Sequence, residues 1–349
     1  MTTGDTPRSS GLRMPAEWEP HEAIWLAWPH DAESFGEGLP GAERAYVEMI
    51  RAIHKTERVE LLVLDEAMRR RVSEALDGAG VDLSSVRLRL HRYADVWFRD
   101  YGPTFLVGAS GRAMIHWIFN AWGEKYEELE RDAAIPLLIE KELGIRAFRP
   151  GVVMEGGSID VDGAGTLLTT EQCLLNKNRN PGLSRADIER VLGDNLSVDR
   201  VIWLKEGIAG DDTDGHIDDI ARFVAPGRVV CALEGRKGDA NFASLQAAFV
   251  ALERARDAAG RALDVIRLPM PEPVSAGGRR LPASYANFYI GNGVVLAPVF
   301  ECGRDTAALK VLERVFPGRR IAPIPCRELV RGLGTVHCVS QQQPAEESR

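Results

Sequence analysis

The chain has 349 residues, with 51 acidic against 43 basic side chains, a formal net charge of -8 and 45% apolar residues. These values are typical of a globular protein with a sizeable core, and they exclude disordered and fibrous chains. The acidic surplus offers no basic surface for phosphates. It therefore excludes a dedicated nucleic-acid binder and favours a cationic or neutral small substrate.

The cysteines and the start of the chain indicate the compartment. The five cysteines show no CxxC spacing, and an odd number in a long chain is unlike a disulfide framework, so we expect a reduced, cytoplasmic setting. Residues 1–13 lack the apolar run of a signal peptide. The longest apolar stretches, such as 59–64 and 134–139, are too short to span a bilayer, so no membrane role is expected.

Apolar residues at three- and four-residue spacing predict five helices. The helices begin about 60 residues apart each time, near Glu66, Tyr126, Ser184, Phe242 and Arg304. A short strand, a Gly- or Asp-rich segment and a pair of strands should follow each helix. The predicted strands are 86–90, 104–107, 113–119, 201–204, 220–224, 229–233, 265–268, 286–290, 294–299, 321–324 and 336–340.

This even spacing predicts an α/β protein built as a fivefold repeat, and an ordinary α/β protein with evenly spaced elements is the alternative. The fifth unit lacks one strand, which residues 24–28 could supply, so that the sheets are left without an exposed edge. We expect one closed catalytic domain over residues 14–344. A flexible N-terminal segment, 1–13, would precede it, and a C-terminal tail, 345–349, would follow.

Reactive residues occupy the same place in each unit, before the strand pair. These segments are 95–103, 155–158, 210–219, 284–287 and 332–338. Each has an ordinary explanation on its own, because a free cysteine packs well in a core, a histidine is often a satisfied core residue and an acidic loop often forms Asx turns. Their equivalent positions instead predict one site, built of carboxylates, histidines and a cysteine.

This set of side chains suits a guanidinium substrate. Two carboxylates can clamp the forked N–H donors of that cation. A cysteine thiolate is a strong nucleophile near neutral pH, and a histidine beside a glutamate is an oriented proton carrier. Together they suggest attack on a guanidinium carbon.

Seven stretches resemble the agmatine deiminase family: 14–21, 95–105, 155–162, 166–181, 211–219, 284–290 and 337–344. The likeness extends from about residue 14 to residue 344 and involves many separate motifs. It implies the pentein-type fold of guanidine-modifying enzymes, an α/β five-bladed pseudosymmetric propeller of ββαβ-like repeats around a central active site. This expectation agrees with the repeat.

The resemblance also implies residue roles. Cys338 matches the nucleophile, His216 the general acid and base, and Glu155 the carboxylate partner of that histidine and a guanidinium contact. Asp100 and Asp218 match the two acids that grip the guanidinium. Agmatine would give N-carbamoylputrescine and ammonia, a step of polyamine (putrescine) biosynthesis, without a metal or organic cofactor. Homodimers are common in the resembling family, so a second copy of the chain is an expected partner.

Other positions have less defined roles. Trp97 could stack on the guanidinium or its aliphatic stem, or pack in the core, and Asp212 could meet the distal amine. Gly334 is expected to let the backbone approach the substrate beside Cys338. The 166–181 motif has no evident chemical role, and a structural one, for example at a subunit contact, is expected.

One departure from the family pattern bears on the identity of the substrate rather than on the type of reaction. The resembling enzymes carry a glycine triplet and an asparagine before the His-Cys pair, whereas this chain has Gly332-Leu333-Gly334-Thr335. A deiminase of free or peptidyl arginine is therefore an alternative, and a non-enzymatic binding module is another. A metal-dependent hydrolase is a third, with oxygen and nitrogen ligands drawn from Glu155, Asp211, Asp212, Asp214, His216, Asp218 and His337.

Overall fold

The computed structural model describes residues 5–346 and shows a mixed α/β fold. Its α-helices are α1 Ala32–Phe35, α2 Leu39–Ile53, α3 Glu66–Gly78, α4 Phe98–Tyr101, α5 Ala121–Glu124, α6 Ile135–Leu143, α7 Glu171–Leu174, α8 Arg185–Leu196, α9 Phe242–Arg254 and α10 Asp305–Val315. Short 3-10 turns lie at Arg8–Ser10, Gly36–Gly38, Leu83–Ser85, Glu127–Ala134, Gly156–Ser158, Ile217–Asp219 and Leu329–Gly332.

The strands are short and follow the helices closely along the chain. They are β1 His21–Ala27, β2 Arg58–Val63, β3 Val86–Leu90, β4 Thr104–Gly108, β5 Gly111–Ile115, β6 Arg146–Phe148, β7 Asp160–Val161, β8 Thr166–Thr170, β9 Arg200–Leu204, β10 Ala221–Ala225, β11 Arg228–Leu233, β12 Asp264–Pro269, β13 Ser275–Ala276, β14 Arg279–Arg280, β15 Tyr289–Ile290, β16 Val294–Val299, β17 Arg320–Pro325 and β18 Gln341–Pro344.

Within residues 5–346 these strands form five sheets of three or four strands and one two-stranded hairpin, β13–β14. The sheets have the orders β4-β5-β6, β7-β8-β9, β10-β11-β12, β15-β16-β17 and β18-β1-β2-β3. In each sheet an antiparallel pair comes first, and the next strand then runs parallel to the second one. The β-β-α-β unit is thus repeated five times, with helices α2, α6, α8, α9 and α10 as the crossovers.

All five predicted helices are present, although the one predicted to begin near Tyr126 is a 3-10 helix over Glu127–Ala134 and becomes α-helical at Ile135. The first predicted helix was assigned to the wrong place in the repeat. The crossover helix of the β18-β1-β2-β3 sheet is α2, which the sequence analysis missed, and α3 leads instead to the additional strand β3. The pattern of α2 is amphipathic, because Ala42, Ala45, Tyr46, Met49, Ile50 and Ile53 are buried at helical spacing. Pro40 stands in its first turn, where a missing N–H costs nothing.

The strand predicted at 336–340 is wrong. Those residues form a buried turn, in which the amide of Val339 donates to the carbonyl of Thr335 and that of Ser340 to the carbonyl of His337. The strand begins later, at β18, and pairs antiparallel with β1, with Trp25 opposite Gln341. Residues near the chain start therefore do supply the strand that the last unit lacks. The arrangement of the five units about one axis stays a prediction.

Local signals explain several helix ends. Ser184 and Asp187 form a capping box at the start of α8, and Asp65 accepts from the amide of Met68 at the start of α3. Helix α6 ends at Gly144, whose φ of 63° is left-handed. None of the helices in residues 5–346 is long and apolar enough to cross a membrane.

Part of the N-terminal segment predicted to be flexible contacts the fold. Arg8 donates to the carbonyl of Val198 over 3.1 Å, and Arg13 forms a backbone bridge with Val107. Residues 1–4, which belong to the same predicted segment, and residues 347–349 of the predicted tail lie outside the described residues. The boundaries of the predicted 14–344 domain stay a prediction.

Candidate active site

Five segments of the chain contact one another beside one cavity, and each of them directly precedes the first strand of a sheet. They are helix α4, the turns Gly156–Ser158 and Ile217–Asp219, the loop before β15 and the turn before β18. The cavity has a volume of about 410 Å³, and Asp100 and Cys338 are among its lining residues. The structure thus brings together the segments that the sequence pattern singled out.

Cys338 lies in this cavity with its thiol mostly buried. Asn287, which the sequence analysis did not assign a role, donates from Nδ2 to Sγ over 3.1 Å. Thr335 donates to Oδ1 of the same amide over 2.7 Å and so fixes which way the amide points. Burial, together with the charges of Asp218 and other nearby acids, raises the pKa of the Cys338 thiol well above its ordinary value.

Asp218 is the acid nearest to the thiol, with its Oδ2 atom 3.8 Å from Sγ of Cys338. The same oxygen lies 2.7 Å from Nδ1 of His337, while Oδ1 is buried with no hydrogen-bond partner among the described residues. Burial alone would raise the pKa of Asp218. The hydrogen bond and the charge of His337, together with the charge of Arg222, hold that pKa below its ordinary value instead.

Asp100 reaches the cavity from helix α4. Its carboxylate accepts from Nε1 of Trp122 and from the amide of Gly157, each over 3.0 Å. Burial, and then the charges of Asp218 and Glu155, raise the pKa of Asp100 well above its ordinary value. An approaching cation would reverse this effect, because it stabilises the carboxylate.

His216 stands between two of these acids without a hydrogen bond to either. Its Nδ1 is 3.7 Å from Oδ1 of Asp100, and its Nε2 is 3.9 Å from Oε2 of Glu155. Within residues 5–346 neither ring nitrogen has a hydrogen-bond partner. Burial lowers the pKa of His216 to about 3, so the ring is neutral and can take up a proton. Gly157 permits the close approach, since a Cβ there would lie 2.5 Å from Nδ1.

Glu155 is held from behind by Arg179, a residue that the sequence analysis did not assign. Arg179 donates from Nε to Oε1 of Glu155 over 2.6 Å, and both side chains are fully buried. Burial raises the pKa of Glu155, although Arg179 offsets part of that rise. The expected contact between Glu155 and His216 is therefore a near approach, and the hydrogen bond goes to Arg179.

Arg179 gives the 166–181 motif a role. Arg179 and Asn178 both donate to Oδ2 of Asp214 over 2.9 Å, and Thr170 donates to the carbonyl of Gly215 over 2.6 Å. The motif therefore holds the loop that carries His216. Its structural role lies within the chain, next to the cavity.

Trp97 and Gly334 contact each other beside the nucleophile. A Cβ on Gly334 would lie 2.5 Å from the indole of Trp97 and 2.9 Å from Cβ of Cys338. Glycine is thus required for the indole to reach the cavity wall, which Trp97 lines. Trp97 also donates from Nε1 to Asp95 over 2.9 Å, so its ring is fixed.

Asp212 also lines the cavity, and unlike the buried acids its side chain is about 30% exposed. Its Oδ2 accepts from the hydroxyl of Tyr126, and its Oδ1 is 3.6 Å from the guanidinium of Arg279. Its neighbour Asp211 accepts from the amides of Thr213 and Gly215, so it shapes the loop as an Asx turn.

The metal-ligand alternative finds little support in these contacts. The donor atoms of Glu155, Cys173 and His216 lie within 4.8 Å of one another, the only such group of three or more in the described part of the chain. The guanidinium of Arg179 already neutralises Glu155 there and would repel a metal cation. Asp211, Asp214, Asp218 and His337 were also considered as ligands, and each of them forms hydrogen bonds within the protein.

Together these groups form a site for a cation that can react with a thiol. Asp218 provides negative charge and an unused oxygen, Asp100 and Glu155 provide carboxyl groups whose charged forms a bound cation would stabilise, and neutral His216 can take up a proton. The reactive atoms are shielded from water by burial, which strengthens electrostatic interactions with a bound ligand.

Comparisons with known proteins agree with this site. The family model described as Porphyromonas-type peptidyl-arginine deiminase matches residues 13–344. The chain belongs to this family. The agmatine deiminases of Stutzerimonas stutzeri and Ectopseudomonas mendocina are 41% and 40% identical to it, each over 99% of both chains. The structure of the agmatine deiminase of Enterococcus faecalis superposes with a TM-score of 0.92 at 32% identity, over 98% of both chains. The predicted resemblance to agmatine deiminases is confirmed.

Proposed function

We propose that the chain is an agmatine deiminase, a hydrolase that converts agmatine and water to N-carbamoylputrescine and ammonia. The observation that carries the proposal is the juxtaposition of the Cys338 thiol, the unused oxygen of Asp218 and the neutral ring of His216 at an acidic cavity. The full-length relatives at about 40% identity, named for this activity, support the choice of substrate.

Binding of the guanidinium follows from its charge. Asp218 would accept an N–H through Oδ1, and Asp100 and Glu155 would accept from other nitrogens of the same plane. Burying this cation among three acids lowers their pKa values and also that of the Cys338 thiol, because all four charged forms are stabilised. Substrate binding therefore ionises the nucleophile.

The chemistry then proceeds in two steps. The thiol of Cys338 passes its proton to neutral His216, and the thiolate bonds to the guanidinium carbon. His216 then delivers this proton to one terminal nitrogen, and the C–N bond breaks to release ammonia. An amidino-thioether remains. In the second step His216 takes a proton from water, the oxygen adds to the same carbon, and the C–S bond breaks to release the ureido product. His216 returns its proton to the sulfur of Cys338, and the remaining hydroxyl proton leaves with ammonia as ammonium.

The remaining contacts concern orientation and the substrate tail. Asn287 would stabilise the thiolate through its Nδ2 donor. Trp97 would cover the guanidinium or the methylene stem, next to Gly334. Asp212 would meet the distal ammonium, because it is a partly exposed carboxylate on the cavity wall.

We further infer that the five β-β-α-β units form a five-bladed, pentein-type propeller. The support is that Asp100, Glu155, His216, Asn287 and Cys338 each precede the first strand of a different sheet, and yet short contacts bring them together beside one cavity. A pseudo-fivefold axis through the cavity accounts for that convergence. The cytoplasmic location and the homodimer remain predictions from the sequence.

A substrate panel tests the function. Ammonia and ureido product are measured with agmatine, free arginine and a peptide that ends in arginine. The proposal predicts that kcat/KM is highest for agmatine. Preference for either arginine compound would contradict it and favour the alternative deiminase, and the absence of product from all three would contradict guanidine hydrolysis itself.

A further inference from the structure

His337 lies between two buried acids and contacts both of them. Its Nδ1 is 2.7 Å from Oδ2 of Asp218, and its Nε2 is 2.8 Å from Oε2 of Glu17. All three side chains are buried. Glu17 is far from Asp218 in sequence, so the imidazole links the chain start to the carboxylate that lies nearest to Cys338.

The guanidinium of Arg222 favours the charged forms of both acids. Burial alone would raise the pKa of Glu17, but Arg222 and His337 bring it well below its ordinary value, and the pKa of Asp218 is also lowered. A carboxylate can only accept, so the ring must donate from both nitrogens. An imidazole with two N–H donors carries a positive charge.

The surrounding charges are consistent with a cation at this point. Glu17 also accepts from Nη2 of Arg222 over 2.7 Å and from the amide of Ile290 over 2.7 Å. The titratable and charged groups that act on Asp218 and His337 are Glu17, Arg99, Asp100, Asp211, His216, Asp219, Arg222 and Cys338. Burial raises the pKa values of Asp100, Asp211 and Asp219, whereas Glu17 and Asp218, the two acids that His337 contacts, have lowered pKa values.

We propose that His337 is a positioning residue, an imidazolium that fixes Oδ2 of Asp218, keeps this acid ionised and leaves Oδ1 aimed at the substrate guanidinium. The inference rests on the proposed deiminase function. The backbone of His337 supports it, because its amide donates to Oδ1 of Asn287 over 3.0 Å. One residue thus orients the cation-binding acid and helps to hold the amide that donates to the nucleophile.

Two substitutions separate the two contacts of the ring. In His337→Asn the side-chain amide can take the place of Nδ1 and still donate to Asp218. In His337→Gln the amide takes the place of Nε2 and reaches Glu17 instead. We expect kcat/KM for agmatine to fall in both variants, and to be about tenfold lower in His337→Gln than in His337→Asn. His54→Gln is the matched control, since His54 is also buried but bonds backbone carbonyls of α2, and it should keep the parent value.

A purely structural role predicts the opposite order, because the shorter asparagine leaves the larger gap. Equal activities of the two variants, or higher activity of His337→Gln, would overturn the proposal. A second measurement uses the parent protein and needs no turnover. In a ¹⁵N-histidine NMR spectrum at pH 7, the signals assigned to His337 through His337→Asn should show protons on both ring nitrogens, and a neutral ring would overturn the proposal.

The two measurements also separate this inference from the proposed function. If the parent chain releases no ammonia from any guanidine, the proposed function is wrong. The NMR spectrum still decides whether His337 is an imidazolium. If the parent chain releases ammonia from agmatine and the ring is neutral, only the role of His337 fails.

Discussion

Arg179 donates from Nε to Oε1 of Glu155 over 2.6 Å, and neither side chain is exposed to solvent. Its other donors reach Oδ1 of Asn178, Oδ2 of Asp214 and the carbonyl of Thr213. One guanidinium therefore joins the glutamate of the cavity to the loop that carries His216. The geometry of the site depends on a residue that does not face the substrate.

Replacing Arg179 should destabilise the fold. In Arg179→Met the buried Glu155 loses its partner, so the free energy of unfolding should fall by about 3–5 kcal/mol. Urea denaturation followed by circular dichroism measures the change. The control is Arg185→Met, which removes an exposed ion pair with Glu171 and should cost about 1 kcal/mol or less. Equal losses in the two variants would contradict a special role for the buried pair.

Thr335 should matter through the amide of Asn287. Thr335→Val removes the donor to Oδ1 and leaves the amide less firmly oriented toward Sγ of Cys338, so kcat should fall by about tenfold. Thr335→Ser keeps the hydroxyl and should stay within about threefold of the parent. Steady-state kinetics with agmatine decide the point. A valine variant as active as the serine variant would mean that the hydroxyl has no effect on the reaction.

Asp218 should affect catalysis and thiol reactivity in opposite directions. Asp218→Asn loses a charge-assisted contact to the guanidinium, so kcat/KM should fall by an amount equivalent to about 3 kcal/mol. The same change removes a negative charge 3.8 Å from Sγ, so the pKa of Cys338 falls and more thiolate is present at pH 8. Alkylation of Cys338 by iodoacetamide should then become faster.

The alkylation rate is read from the peptide that contains Cys338, because other cysteines also react. The control is Asp264→Asn, which changes an exposed acid of β12. Slower alkylation in Asp218→Asn than in this control would show that the acid does not raise the pKa of the thiol.

Asp212 should determine recognition of the substrate tail. Asp212→Asn removes the proposed charge partner of the distal ammonium, so KM for agmatine should rise by about tenfold with little change in kcat. Butylguanidine lacks that amine, and its KM should be the same for the parent and the variant. A parallel rise in both KM values would instead indicate general damage to the cavity wall.

The sequence predicted that the chain contains repeated units, but it did not place every helix and strand correctly within them. The helices at α3, α8, α9 and α10 have clear 3.6-residue periodicity and occur where expected. Helix α2 has the same periodicity but begins with Leu39-Pro40-Gly41, and the regular 60-residue spacing points to α3 instead. The apolar residues of 336–340 resemble a strand in sequence, yet they form a buried turn. The polar residues Gln341, Gln342 and Gln343 belong to strand β18 instead.

The candidate site residues came from motifs, but their supporting contacts are long-range. Asp100, Glu155, His216, Asp218 and Cys338 do lie together, and their catalytic roles are proposals. Arg179, Asn287 and the contact between Glu17 and His337 depend on side-chain directions in the folded chain, which a single sequence does not reveal. Of these, only Arg179 could have been suspected from the sequence, because it is a basic residue inside the 166–181 motif.

The covalent intermediate on Cys338 tests the central claim most directly. The chain is mixed with agmatine, quenched in acid within the first turnovers, digested and examined by mass spectrometry. We predict that the peptide containing Cys338 gains the mass of agmatine less ammonia, and that Cys338→Ser shows neither this adduct nor ammonia release. Turnover by Cys338→Ser, or an adduct on a different cysteine, would contradict the account.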